Sequence, residues 1–111
     1  MKARPTETEA GFLKTVLQFA KLHGWRSAHF RPAWTADGWR TAVSGDGMGF
    51  PDLVLVRRGV FLVAELKTDR GRTTAEQDAW LAAFQAAGVA AYTWRPSDWP
   101  AIAATLGATL R

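Results

Sequence analysis

Three residues of this chain have the types and the spacing to do chemistry together: Asp52, Glu65 and Lys67. Asp52 opens the apolar run Leu53-Val54-Leu55-Val56, and Glu65 closes another, Val60-Phe61-Leu62-Val63-Ala64. Both runs read as β-strands, being rich in branched apolar residues with no polar interruption. Arg58-Gly59 between them fits a two-residue hairpin turn, although arginine is not the preferred first turn residue. In that register Arg57 faces Val60, every opposed pair keeps the same sum, and Asp52 faces Glu65. Directly opposed side chains share a face, with Cβ atoms roughly 4.5–5.5 Å apart. Two carboxylates there repel; a divalent cation between them removes the repulsion and takes their oxygens as ligands. Side chains alternate along a strand, so Lys67 lies on the Glu65 face. Such a group can hold a hard cation, activate a water and offset negative charge that develops in a reaction.

The elements on either side must position this group. Residues 6–22 read as a helix stopped by Gly24, with Phe12, Leu13, Val16, Leu17 and Ala20 on its buried face. At about 100° per residue Glu9 falls inside that stripe and Glu7 nearly opposite it. Glu7 therefore suits the surface and the helix N-terminal dipole. Glu9 points inward, where an unpaired carboxylate is costly; it either escapes to solvent in the first turn or joins the other acids. Residues 25–31 read as a strand, with Trp25, Ser27, His29 and Arg31 on one face and Arg26, Ala28 and Phe30 on the other. Residues 32–50 form a long glycine-rich connection carrying Trp34 and Trp39. A connection beyond roughly 12–15 residues is usually functional or disordered, and this one leads straight into Asp52. Asp46, between two glycines, reads as a turn residue rather than a metal ligand. No Gly-Lys-Ser/Thr follows these glycines, so they form no phosphate loop.

Beyond the hairpin, Thr68-Asp69-Arg70-Gly71-Arg72 is a short polar loop. Residues 73–87 read as a helix, with Thr73-Thr74-Ala75-Glu76 as a capping box and Gly88 as its stop. Trp80, Leu81, Phe84 and Ala87 make its buried face. Gln77 lies near the centre of that face and needs a partner there: the acids, or an ordinary buried hydrogen bond. Residues 89–95 form an apolar strand expected inside the sheet or at an interface. Pro96-Ser97-Asp98 opens a last helix reaching about Leu106, with Ser97 as its cap.

A chain of 111 residues makes one domain able to bury a core, and we read residues 1–111 as that domain. No apolar run approaches 18 residues, so no membrane span is expected; the polar N-terminus suggests no export signal. The absence of cysteine excludes disulfides and thiolate zinc sites and suits the cytoplasm. Two histidines argue against a zinc hydrolase. The net charge of +4 favours a polyanionic partner. Six tryptophans divide between core, interface and stacking on bases.

Pro51-Asp52 followed by Glu65-Leu66-Lys67 resembles the PD-(D/E)XK nuclease signature. Gly49-Phe50-Pro51-Asp52-Leu53, Glu65-Leu66-Lys67-Thr68, Gly71-Arg72, Gln77, Trp80 and Trp94-Arg95-Pro96 together resemble the VRR-NUC family, often found in phages and bacteria. The likeness runs from about Thr6 to Trp99. It implies an α/β restriction-endonuclease-like core, a mixed central sheet in the order α-β-β-β-α-β-α flanked by helices. It implies Mg²⁺ or Mn²⁺ on Asp52, Glu65, the Leu66 carbonyl and a helix acid, for which Glu9 is a better match than Glu7. Lys67 would orient water, and Gln77 would join the catalytic set. His29, Arg31, Arg40, Arg70 and Arg72 are the expected nucleic-acid contacts, with Trp34 and Trp39 as further candidates. The implied activity is structure-selective cleavage of branched DNA by a homodimer resembling Holliday-junction resolvases, in the cytoplasm of a bacterial or phage-infected cell. A flap, nicking or restriction-like endonuclease is the enzymatic alternative. A non-catalytic DNA-binding subunit is the other, and the intact Asp52, Glu65 and Lys67 speak against it.

Overall fold

The computed structural model describes residues 8–30, 33–40 and 44–108. In chain order its elements are α1 (Glu9–Leu22), β1 (Arg26–His29), β2 (Ala33–Thr35), β3 (Gly38–Arg40), β4 (Leu53–Arg57), β5 (Val60–Leu66), α2 (Ala75–Ala86), β6 (Ala90–Trp94), a 3₁₀ turn (Pro96–Asp98) and α3 (Trp99–Gly107). Four strands pair in the order β1-β4-β5-β6. The first two pairings are antiparallel and the last, across the α2 crossover, is parallel. The result is a mixed four-stranded sheet flanked by helices.

The central hairpin has the expected register: Arg57 faces Val60 and Leu53 faces Ala64. Arg58 and Gly59 both take positive φ, 46° and 80°. That is the backbone of a mirror-image two-residue turn, whose twist matches the strands it joins. Alternation then divides the strands between two layers. Leu53, Leu55, Leu62, Ala64 and Leu66 point into the larger core, against Phe12, Val16 and Ala20 of α1 and Ile102 and Leu106 of α3. Val54 and Val63 point the other way, towards Leu81 and Phe84 of α2. Asp52 and Glu65 continue this second face beyond its apolar part. Arg57, at the far end of β4, lies over the Trp25 ring and donates to the carbonyls of His23 and Leu106, joining the ends of α1 and α3.

Several boundaries differ from the sequence expectations, each for a local reason. Helix α1 begins at Glu9, because the Thr8 hydroxyl accepts from the Gly11 N–H at 3.0 Å and caps it. The connection 32–50 is not wholly irregular: β2 and β3 form a small separate hairpin with Trp34 opposite Trp39. The cap of α2 is Thr74 and its box partner is Gln77, one residue later than the Thr73–Glu76 pairing. Ala87, expected on the buried face of α2, is its exposed C-cap. Among the described residues strand β6 lies at an edge of the sheet rather than inside it. Its apolar residues serve the two helical layers instead, Trp94 in the larger core and Ala91 in the smaller. Ser97 does not cap the last helix. The Asp98 carboxylate accepts from the Arg95 N–H at 2.9 Å, while the Ser97 N–H donates to Asp69.

Candidate active site

Beyond the ends of β4 and β5 the sheet opens into a cavity of about 500 Å³. Glu9, His29, Asp52, Glu65, Lys67 and Gln77 line it, with Phe30 and Leu66 among its apolar walls. Sequence position brings each residue here by a separate route. Asp52 follows Pro51 at the start of β4, and its Oδ1 accepts from the Leu66 N–H at 3.2 Å. The carboxylate thus reaches across to β5, as the extended hairpin register requires. Glu65 is almost fully buried, 4% exposed, and is the one buried charged residue among those described. Lys67 stands two residues on, its Nζ 3.6 Å from Glu65 Oε2.

Gln77 meets the buried acid, and its other partner is the exposed helix cap. Its Oε1 accepts from the Thr74 N–H at 2.9 Å, closing the capping box. Its Nε2 donates to Glu65 Oε2 at 3.0 Å. The backbone N–H of Thr74 can face only the amide oxygen, so the amide is fixed with its NH₂ towards the acid. Helix α2 is therefore fastened by its first turn to the buried carboxylate. Lys67 and Gln77 both meet Oε2.

The glycine-rich approach to Asp52 fits against the same turn. Gly49 has φ +83°, and a Cβ there would lie 2.6 Å from the Glu76 carbonyl carbon and 2.7 Å from the Gln77 nitrogen. Only glycine allows the chain to pass so close. Trp80 Nε1 donates to the Asp46 carbonyl at 2.9 Å, tying the preceding turn to α2. Asp46 is exposed and does not line the cavity, in keeping with a turn residue.

Burial disfavours the ionised form of both acids. The Asp52 carboxyl is pushed up to about 8, first by burial and then by Glu65, against the pull of the Leu66 N–H and Lys67. Burial also raises Glu65, although Lys67 opposes it. Glu9 acts on both in the same upward direction. It does not point into the core: it is exposed and stands at the cavity mouth, because the Thr8 cap puts it at the first helical position. Glu7 and Arg31 lie outside the described residues, as does the Arg40 side chain at the end of β3.

Arg70 and Arg72 are exposed and do not line the cavity. Arg95 governs their loop, donating to the carbonyls of Thr68 at 2.7 Å and Gly71 at 2.6 Å. Sequence reasoning gave Arg95 no role. Its signal was the Trp94-Arg95-Pro96 cluster, in which the arginine ends an apolar strand facing a polar loop. Among the described residues no group of three or more His, Cys, Asp or Glu side chains is close enough to hold a metal ion. The close acid pair is Asp52 and Glu65, with Glu9 further out.

The model of one protein family, the VRR-NUC domain, matches residues 23–97. That span contains Asp52, Glu65, Lys67 and Gln77, while Glu9 and α3 fall outside it. No curated protein and no solved structure matches the chain. With more than half its length matched, the chain belongs to the VRR-NUC domain family, and membership implies a nuclease-type, DNA-processing function.

Proposed function

We propose that the chain is a Mg²⁺- or Mn²⁺-dependent endonuclease of the PD-(D/E)XK type, hydrolysing phosphodiester bonds in branched DNA in the manner of a Holliday-junction resolvase. The supporting observation is one cavity holding two close carboxylates and a lysine, with both acids raised by burial. The donor set fits a small hard cation: carboxylate and carbonyl oxygens, with no sulfur. Mg²⁺ is commonly held by one or two carboxylates together with substrate phosphate and water, so a third close acid is not required. Asp52, Glu65 and the Leu66 carbonyl would hold it, with Glu9 as an outer carboxylate. When bound, the ion would supply Lewis-acid polarisation of the phosphate and a more acidic water.

The chain's own residues divide the remaining work. Asp52 would hold the ion as the deprotonated carboxylate. Gln77 holds Glu65 in place through Oε2. Lys67, beside the same oxygen, orients the attacking water and offsets charge growing on the phosphate. A small domain offers little surface for reading bases, so recognition by shape and phosphates suits it. A homodimer would bring two such sites to two strands of a junction.

The decisive experiment is cleavage of labelled four-way junction, flap, nicked and linear duplex DNA in Mg²⁺ or Mn²⁺, with Glu65→Ala alongside. Symmetric junction cutting that disappears with the substitution and with chelation is the expected result. Cutting confined to flaps would retain the chemistry and replace the substrate. Tight binding without cleavage in either metal would leave a DNA-binding subunit.

A further inference from the structure

We propose that Phe30 is a stacking platform for an unpaired nucleobase next to the phosphate addressed by Asp52 and Glu65. The inference rests on reading the cavity as a DNA-cleaving site, and it adds what that site selects. Phe30 follows β1 directly, and its N–H donates to the Asp52 carbonyl at 2.8 Å. This continues the β1–β4 register, in which His29 faces Leu53, so Phe30 faces Asp52. Opposed residues share a face. The ring therefore rises from the same side of the sheet as both acids, one strand from Asp52 and two from Glu65, at about 4.8 Å per strand. It lines the same cavity.

An exposed phenylalanine alone needs no explanation. The location and support of this one do. Phe30 is 42% exposed beside a charged cavity, outside both buried clusters. Yet it is held: its ring meets Phe50 edge-to-face at 5.7 Å, and Phe50 meets Trp80 at 5.0 Å and Phe84 at 5.8 Å. Trp80 is anchored in turn on the Asp46 carbonyl. A ring so braced loses little freedom when a ligand stacks on it. Stacking tolerates any sequence, since every base has a π-face. A base inside a duplex is already stacked on its neighbours, so the platform favours nucleotides unpaired at a branch, fray or mismatch. Selectivity for DNA structure then arises at one side chain without base reading.

The test compares wild type, Phe30→Leu and Phe30→Tyr, each checked for unchanged thermal unfolding. Binding in Ca²⁺ is measured to branched DNA carrying 2-aminopurine at each position around the cut site, and to fully paired duplex. Phe30→Leu keeps apolar bulk without a π-face, while Phe30→Tyr restores the ring. The expected result is about tenfold weaker binding of the branched DNA by Phe30→Leu, with rescue by Phe30→Tyr and duplex binding unchanged. One 2-aminopurine position should be quenched by wild type and Phe30→Tyr and lose that quenching in Phe30→Leu. Equal binding by wild type and Phe30→Leu, or equal loss for branched and paired DNA, would overturn the platform while metal-dependent cleavage by wild type upheld the nuclease reading. Absence of cleavage by wild type in Mg²⁺ or Mn²⁺ would remove that reading and the platform with it.

Discussion

At the scale of residues, Gln77 separates structure from chemistry most cleanly. Its backbone N–H completes the Thr74 cap, while its side chain both returns the capping bond and holds Glu65. Gln77→Ala keeps the backbone half of the box, so it should destabilise by no more than about 1 kcal/mol. Loss of an outer partner of a metal-binding carboxylate typically costs about 10–100-fold in metal affinity or activity, and cleavage should fall by that much. Thr74→Ala makes the comparison: it removes the cap hydroxyl, costs about 1 kcal/mol, and leaves Gln77 within reach of Glu65. Unfolding and cleavage rates of both variants decide the matter; equal losses in both would reduce Gln77 to a helix cap. The core of this site was legible because hairpin spacing and strand alternation dictate where Asp52, Glu65 and Lys67 must lie. The direction of Glu9 was not legible from helical periodicity, because Thr8 starts the helix late and leaves Glu9 at its open end. Nor were Arg70 and Arg72 separable from cavity residues by proximity in sequence, since the path of their loop depends on Arg95, more than twenty residues away.

Elements show where local signals suffice. The long apolar runs of β4 and β5 and the period of α1 fixed their type, and burial follows the expected stripes. The β2–β3 hairpin carries no periodic signal, because strands of three residues are too short to show alternation. The edge position of β6 was hidden because an apolar strand between two helical layers reads the same whether or not a further strand pairs with it. The join between the glycine-rich segment and α2 is likewise tertiary. Its critical point is Gly49, whose missing side chain lets the loop pass against the backbone of Glu76 and Gln77. Gly49→Ala introduces a clash that moving a flexible side chain cannot relieve, at a positive φ that disfavours alanine. It should lower stability by about 2 kcal/mol or more and displace the turn that carries Gln77. Cleavage assayed well below the variant's unfolding temperature should therefore fall as well. Full activity in a destabilised Gly49→Ala protein would show that the loop supports the fold without positioning the site.

For the whole molecule, the acid pair makes stability depend on pH in a direction opposite to that of ordinary surface acids. The Asp52 carboxyl sits at about 8 in the folded chain, against 3.8 as its ordinary value, and Glu65 is raised too. Between those two values the folded state holds a proton that the unfolded state has released. Stability of the metal-free protein must then fall as pH rises from about 4 to about 8. Asp69 works at the other end: held down by the Ser97 N–H and hydroxyl, it loses its contribution only as pH drops below its ordinary 3.8. The metal-free chain should accordingly be most stable in mild acid. A cation that binds the folded pair and not the unfolded chain adds stability by mass action, and because it competes with the proton its effect should grow with pH. Thermal unfolding at pH 5 and pH 8, with chelator and with millimolar Mg²⁺ or Mn²⁺, tests this directly. The expected pattern is a midpoint lower by about 5 °C or more at pH 8 in chelator, a difference of roughly 1 kcal/mol in a domain of this size, with recovery on adding metal at pH 8 and little response at pH 5. Asp52→Asn removes the repulsion and a ligand together, so it should raise the metal-free midpoint at pH 8 and abolish the response to metal. A midpoint that rises with pH in chelator, or an unchanged metal response in Asp52→Asn, would mean that the two acids do not share a cation.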